Sequence, residues 1–211
     1  MRAYIIIIIF LIGSVNEILN AQNLKINSGL SLSSLNFKIG EFNFYDSRIK
    51  SFYPSLGIDY FEHKYFSISS EIGLIEKGGK ESNIPLTSVG GEIEQHIDAF
   101  EKWNFLHFNT TFRVKYPFNN FHLYAGFGPK FDILLGSNSF DNISFENFRI
   151  NRYSFGFKPE IGFNSILTNK ISMGFNLSYL IDIGDFAKNE LYTITNNTWM
   201  MTLSLRYSLA K

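Results

Sequence analysis

The feature that most constrains this chain is alternation. Over residues 199–211, Met201, Leu203, Leu205, Tyr207 and Leu209 share one parity, while Thr202, Ser204, Arg206, Ser208 and Ala210 share the other. Successive side chains of extended backbone point to opposite faces, so a sustained period of two specifies a strand. The pattern recurs seven more times and predicts strands over 24–35, 51–62, 65–76, 104–118, 121–136, 152–165 and 169–184 as well. The connections alternate too. Short turns fall at 62–64, 117–120 and 167–170, and long polar stretches at 36–50, 77–102, 137–150 and 185–198. Short turns at one rim and long loops at the other describe an all-β fold: an eight-stranded antiparallel up-and-down transmembrane β-barrel. An even strand number puts both termini on one side. The expected address is the outer membrane, with termini periplasmic and long loops extracellular.

The amino terminus reads as a targeting segment. Arg2 precedes an uncharged stretch, 3–16, whose apolar centre is too short to span a bilayer as a helix. Ala21 supplies a small residue before Gln22, so the expected division is a signal peptide at 1–21 and a barrel domain at 22–211. The longest uncharged stretch after that, 191–205, is 15 residues rich in Thr and Asn, again no membrane helix. With 19 basic and 19 acidic residues, the chain lacks the basic footprint that a nucleic-acid partner requires. The absence of cysteine excludes a disulfide scaffold, a thiolate metal site and a cysteine nucleophile.

The parity of the charges decides which face meets lipid. Asp59, Glu71, Arg113, Lys115, Lys130, Asp132, Lys158, Glu160, Asp182 and Arg206 all fall on the polar parity, five of each sign. They are expected in the lumen, where buried charges require partners and equal numbers permit pairing. Turning Arg206 to lipid would cost roughly 2–4 kcal/mol near the midplane. The four charges of Lys130, Asp132, Lys158 and Glu160 are expected side by side on neighbouring strands, Lys to acid. Glu62 and Glu76 fall at strand ends on the lipid parity. Gly126, Gly128, Gly156, Gly162 and Gly174 share the inward parity, where they either make room for long side chains or mark bulges. Trp103 has inward parity, which places it above the bilayer or beside a bulge.

Two motifs resemble a known family. The run Tyr124-Ala125-Gly126-Phe127-Gly128-Pro129-Lys130, and the run Glu71-Ile72-Gly73-Leu74-Ile75-Glu76-Lys77-Gly78-Gly79-Lys80, resemble the outer-membrane β-barrel families of Bacteroidota called PorT-like. Gln22 after Ala21 matches the family's habitual mature start. The family's Tyr-Leu-Glu-Ile-Pro at the fourth strand stands here as Phe105-Leu106-His107-Phe108-Asn109, and the chain ends on Lys211 rather than an aromatic. The resemblance spans the mature chain and implies a barrel in the outer membrane, with a link to secretion of surface proteins in some members.

Chemistry-bearing motifs are sparse. An outer-membrane lipid hydrolase would set a histidine beside a serine on the lipid face, but His107 and His122 have inward parity. Glu92, Glu94, His96, Asp98 and Glu101 form an acidic cluster without fixed ligand geometry, read as solvated loop rather than metal site. Gly78-Gly79-Lys80-Glu81-Ser82 lacks the spacing of a phosphate loop, and Gly126-Phe127-Gly128 lacks that of a dinucleotide fingerprint. No cofactor is expected. The leading reading is a non-enzymatic integral outer-membrane barrel, structural or serving binding and assembly through its outer loops. Its partners would be outer-membrane lipid and cell-envelope or secretion proteins. Two alternatives stay open: an outer-membrane lipid-modifying enzyme using His107 or His122, and a secreted soluble ligand-binding barrel.

Overall fold

The computed structural model describes residues 23–39, 42–43, 45–87, 93–139, 149–188 and 193–209. The expected signal segment lies outside them. In chain order the strands are β1 (Asn23–Asn36), β2 (Lys38–Ile39), β3 (Phe42–Asn43), β4 (Ile49–Glu62), β5 (Phe66–Thr87), β6 (Ile93–Pro117), β7 (Phe121–Phe127), β8 (Pro129–Ser139), β9 (Arg149–Ile150), β10 (Tyr153–Phe157), β11 (Glu160–Ile166), β12 (Ile171–Ile183), β13 (Ala187–Lys188) and β14 (Thr193–Ser208).

The wall is a ring of eight antiparallel strands. β1, β4, β5 and β6 pair in succession, followed by β7 and β8 acting as one strand, β10 and β11 as the next, then β12 and β14. β14 returns to β1 through an unbroken register from Asn23↔Ser208 to Asn36↔Thr195, so the ring is closed. Closure removes the edges an open sheet would expose. The interruptions in the fifth and sixth wall strands coincide with Pro129 and Pro159, which have no N–H to donate to a ladder. Inward and outward residues keep their parity across both breaks. Connections at one rim are tight: Phe118 N donates to Phe121 O at 2.8 Å, and Leu167 N to Ile171 O at 3.0 Å.

Two sequence expectations need correction. The stretch 77–102 was expected as a long loop, yet β5 and β6 stay paired out to Thr87↔Ile93 and project well beyond the rest of the wall. Likewise the ladder of β14 starts at Thr193, inside the expected loop 185–198. Backbone groups make a ladder, so charged and small side chains do not forbid one once the strand has left the lipid. They only remove the alternation by which it is recognised.

Along the outer surface lie large apolar side chains, among them Phe52 at 62 % exposed, Val114 at 58 %, Phe155 at 60 % and Leu203 at 54 %. Neighbouring strands pair their aromatics across this surface, as Phe131 and Phe155 do at 4.6 Å between ring centroids. Inside, the lumen has two storeys. Polar and charged side chains occupy the half near the short turns. An apolar cluster that includes Leu35, Tyr53, Ile75, Trp103, Phe105, Leu180, Ile194 and Met200 fills the half near the long connections.

Candidate functional site

The polar storey is built by strand parity. Each inward residue brings a long side chain to a lumen just wide enough to be filled. Two ionic clusters and one rim pair result. Nearest the middle, Lys77 Nζ lies 2.7 Å from Asp132 and 2.9 Å from Asp182. Lys130 approaches the same two carboxylates, Asp132 at 2.6 Å and Asp182 in direct contact. Toward the short turns, Glu71 receives Lys25 at 2.6 Å, Lys158 at 3.0 Å and Arg113 at 3.5 Å. Glu160 is held by Arg113 and by Lys158 at 3.2 Å. Asp59 stands 3.6 Å from Lys25, 3.9 Å from Arg113 and 3.7 Å from Arg206. At the rim, Lys115 pairs with Glu62.

All ten charges assigned to the lumen by parity point inward, but the expected foursome is not one cluster. Gly156, not Lys158, stands opposite Lys130, so Lys130 reaches Asp132 and Asp182 while Lys158 and Glu160 belong to the Glu71 cluster. Sequence reasoning also missed three members. Lys25 alternates with Leu24 and Ile26, a readable signal in a weakly patterned segment. Lys77 was lost in the expected loop. Glu62, expected on the lipid parity, turns inward because a bulge between Asp59 and Phe61 inserts one residue.

Glycines make the crowding possible. A β-carbon on Gly126 would stand 3.0 Å from both the Arg113 and Glu160 side chains, and one on Gly156 would lie 2.9 Å from Lys130 Cε and 1.8 Å from the Ile181 carbonyl.

The histidines have settled surroundings. His107 is fully buried; its Nδ1 meets Asp132, and its Nε2 stands 3.1 Å from the Asn109 amide. His122 Nε2 meets the Asn164 side chain at 2.9 Å in the lumen. Neither stands on the lipid face. His63 stacks on Phe66 beside a turn, and His96 is exposed. Of the acidic cluster, Asp98 is exposed and bonded to Lys80 at 2.6 Å, and Glu101 is buried; the side chains of Glu92 and Glu94 lie outside the described residues. Among the described residues no three His, Asp or Glu side chains are grouped to hold a metal ion.

The apolar storey closes the other end. Trp103, expected above the bilayer or at a bulge, projects into the lumen and packs edge-on against Phe186 at 5.0 Å. A register shift in the β6–β8 pairing follows at Asn104/Phe105. Phe186 is brought there by the connection after β12, whose backbone is tied down by Phe186 N to Ile194 O at 2.8 Å and Asn151 N to Phe186 O at 3.1 Å. The outward pair Lys102–Glu76, 3.7 Å apart, stands where the apolar belt ends. Just beyond it, Glu101 is 1 % exposed, and neither of its carboxylate oxygens meets a hydrogen-bond donor. Burial alone pushes its carboxyl up to about 7.

No protein-family model and no curated protein matches the chain. Solved structures do match. Neisserial surface protein A superposes with a TM-score of 0.52 at 9 % identity, covering 88 % of this chain and 97 % of its own. The outer membrane protein OprG from Pseudomonas aeruginosa gives a TM-score of 0.50 at 12 % identity, covering 91 % and 98 %. At such identities the likeness speaks for architecture alone. Ring closure, short-turn and long-loop rims, and these two superpositions agree that the chain carries the fold of the eight-stranded outer-membrane β-barrels.

Proposed function

We propose that this protein is an integral outer-membrane barrel without catalytic activity, acting in binding or assembly through its extracellular end. The observation that carries the reading is the inverted arrangement of surfaces. An apolar, charge-poor exterior encloses paired buried charges, which in water-soluble proteins would be the costlier way round. A secreted soluble barrel would place those surfaces oppositely. Small barrels with filled interiors do not conduct solutes freely, and the apolar storey sealing one end argues against a general pore. Both nitrogens of His107 are engaged and its ring is buried, which speaks against a lipid-modifying centre there. The resemblance to PorT-like sequences supports a role beside other envelope proteins, with long connections outside the cell and termini in the periplasm.

The test is reconstitution. The purified protein should migrate differently before and after boiling, resist carbonate extraction from membranes, and give no conductance steps in planar bilayers. Steady conductance would replace assembly by transport.

A further inference from the structure

Past the apolar belt, the outer face of the barrel is not uniform around the ring. β4 turns Phe52 and Leu56 outward, at 62 % and 60 % exposed, and buries Ile49, Ser51 and Tyr53 on its inner face. The same parity, carried toward the long connections, puts Lys50 and then Arg48 on the outer face, both exposed. Among the described residues neither cation has a carboxylate partner. They stand two residues apart on one extended segment, roughly 7 Å at ~3.3 Å per residue, so both heads can close on one small anion.

The neighbouring strands add to this arc. Lys102 of β6 stands opposite Gly78 of β5 and reaches Glu76 at 3.7 Å, and Lys80 of β5 meets Asp98 at 2.6 Å. β5 joins β4 at the same end through Ser47↔Lys80. Asp46, the next acidic group, is turned to the β5–β6 hairpin, where it accepts from Ser82 N at 3.2 Å. The arc therefore presents Arg48, Lys50, Lys80 and Lys102 against Glu76 and Asp98. On the far side of β1 the corresponding outward positions are uncharged: Ser34 and Asn36 of β1, paired with Asn197 and Thr195 of β14.

The belt itself says what lies against this arc. Phe52 and Leu74, both at least half exposed, face acyl chains. Trp199, stacked near Tyr179 at 4.7 Å, marks the aromatic girdle two strands from Lys50, through Lys50↔Leu32 and Leu32↔Trp199. The first polar matter beyond acyl chains is the lipid headgroup, and its anionic element is phosphate. A guanidinium fork and a compact ammonium are the two side-chain groups best suited to phosphate oxygens. Their long stems can lie over Phe52 while the charged heads stay at headgroup level.

We propose that Arg48 and Lys50 form a headgroup site that holds the phosphate of an anionic lipid in the leaflet at the long-connection rim, with Lys80 and Lys102 strengthening the local field. The site goes beyond the assembly reading and rests only on the barrel being integral to a membrane.

Native mass spectrometry of the protein released from mixed micelles, which counts retained lipid, tests it. The probes are diphosphorylated lipid A and the same glycolipid with both phosphates removed. The native protein should retain the phosphorylated form at least about tenfold better, since each basic residue at a lipid surface contributes about a factor of five. Arg48→Gln with Lys50→Gln should bring retention down to the dephosphorylated level. Lys64→Gln with Lys170→Gln, at the short-turn rim, should leave it unchanged. Equal retention of the two glycolipids overturns the proposal, as does normal retention by the first double variant or an equal loss in the second. Displacement of the lipid by inorganic phosphate would overturn a lipid as the occupant. If the first double variant fails to fold, the comparison of the two glycolipids on the native protein still decides. Release of the native protein from membranes by carbonate would overturn the membrane-integral reading instead.

Discussion

Lys77 and Asp132 lie 55 residues apart in the chain, yet their charged atoms stand 2.7 Å apart with neither side chain exposed. Lys77 comes from a strand that the sequence left as loop, and Asp132 from the far side of β6. Ring closure brings them together, and with Lys130 and Asp182 they form a compensated set of two cations and two anions.

Lys77→Met should therefore cost about 3–5 kcal/mol, because it leaves two buried carboxylates sharing one cation. Urea unfolding in lipid should show a clearly lower midpoint. Adding Asp182→Asn should recover part of the loss. An unchanged midpoint in the single variant would mean that water reaches this part of the lumen.

The Glu71 cluster makes a partner-specific prediction. Glu160→Gln should lower the unfolding midpoint, since Arg113 and Lys158 both lose a carboxylate. Combining it with Lys158→Met should restore stability in part, whereas Lys130→Met should add its own loss, because Lys130 belongs to the other cluster. Rescue by Lys130→Met would show that the register described for β8 and β10 is wrong.

Glu101 gives the long-connection end of the barrel a pH dependence of defined sign. Its carboxyl is raised in the folded protein, so the fold binds the proton more tightly than the unfolded chain does. Stability of this end should be highest in acid, decline as pH rises from about 4.5 to about 7, and level off above. Glu101→Gln should abolish the decline and slow proteolysis of the projecting β5–β6 hairpin at pH 8. A pH-independent digestion rate in the native protein would contradict the burial of this group.

The two tryptophans should report opposite surroundings. Trp199 is 38 % exposed on the lipid face beside Tyr179, and Trp103 is 1 % exposed in the lumen. Lipids brominated on their chains should quench the native protein but leave most of the emission of Trp199→Phe intact. Strong quenching of that variant would put Trp103 in contact with lipid.

Wall closure offers a last test. A β-carbon on Gly128 would come within 1.8 Å of the Thr110 carbonyl, a backbone atom that cannot step aside. Gly128→Val should abolish the heat-modifiable form on gels. Folding at the native yield would mean that the strands beside Gly128 tolerate more separation than this geometry allows.

Alternation by itself determined where the eight wall strands run through the apolar belt, which rim carries the tight turns, and the inward parity of ten charges. Side-chain direction in extended backbone is a local property, and a two-residue period records it without reference to the rest of the molecule. Leu203 and Arg206 declare their opposite faces in the sequence alone. Three things were decided only by the tertiary structure. Who pairs with whom depends on register around the ring, so Lys130 finds Asp182 rather than Glu160. The inward turn of Glu62 depends on a bulge that no parity rule contains. The paired hairpin beyond Lys77 and the apolar storey around Trp103 and Phe186 form where the chain has left the lipid, and there backbone pairing and burial no longer require the alternating pattern that lipid on one side and a crowded lumen on the other impose.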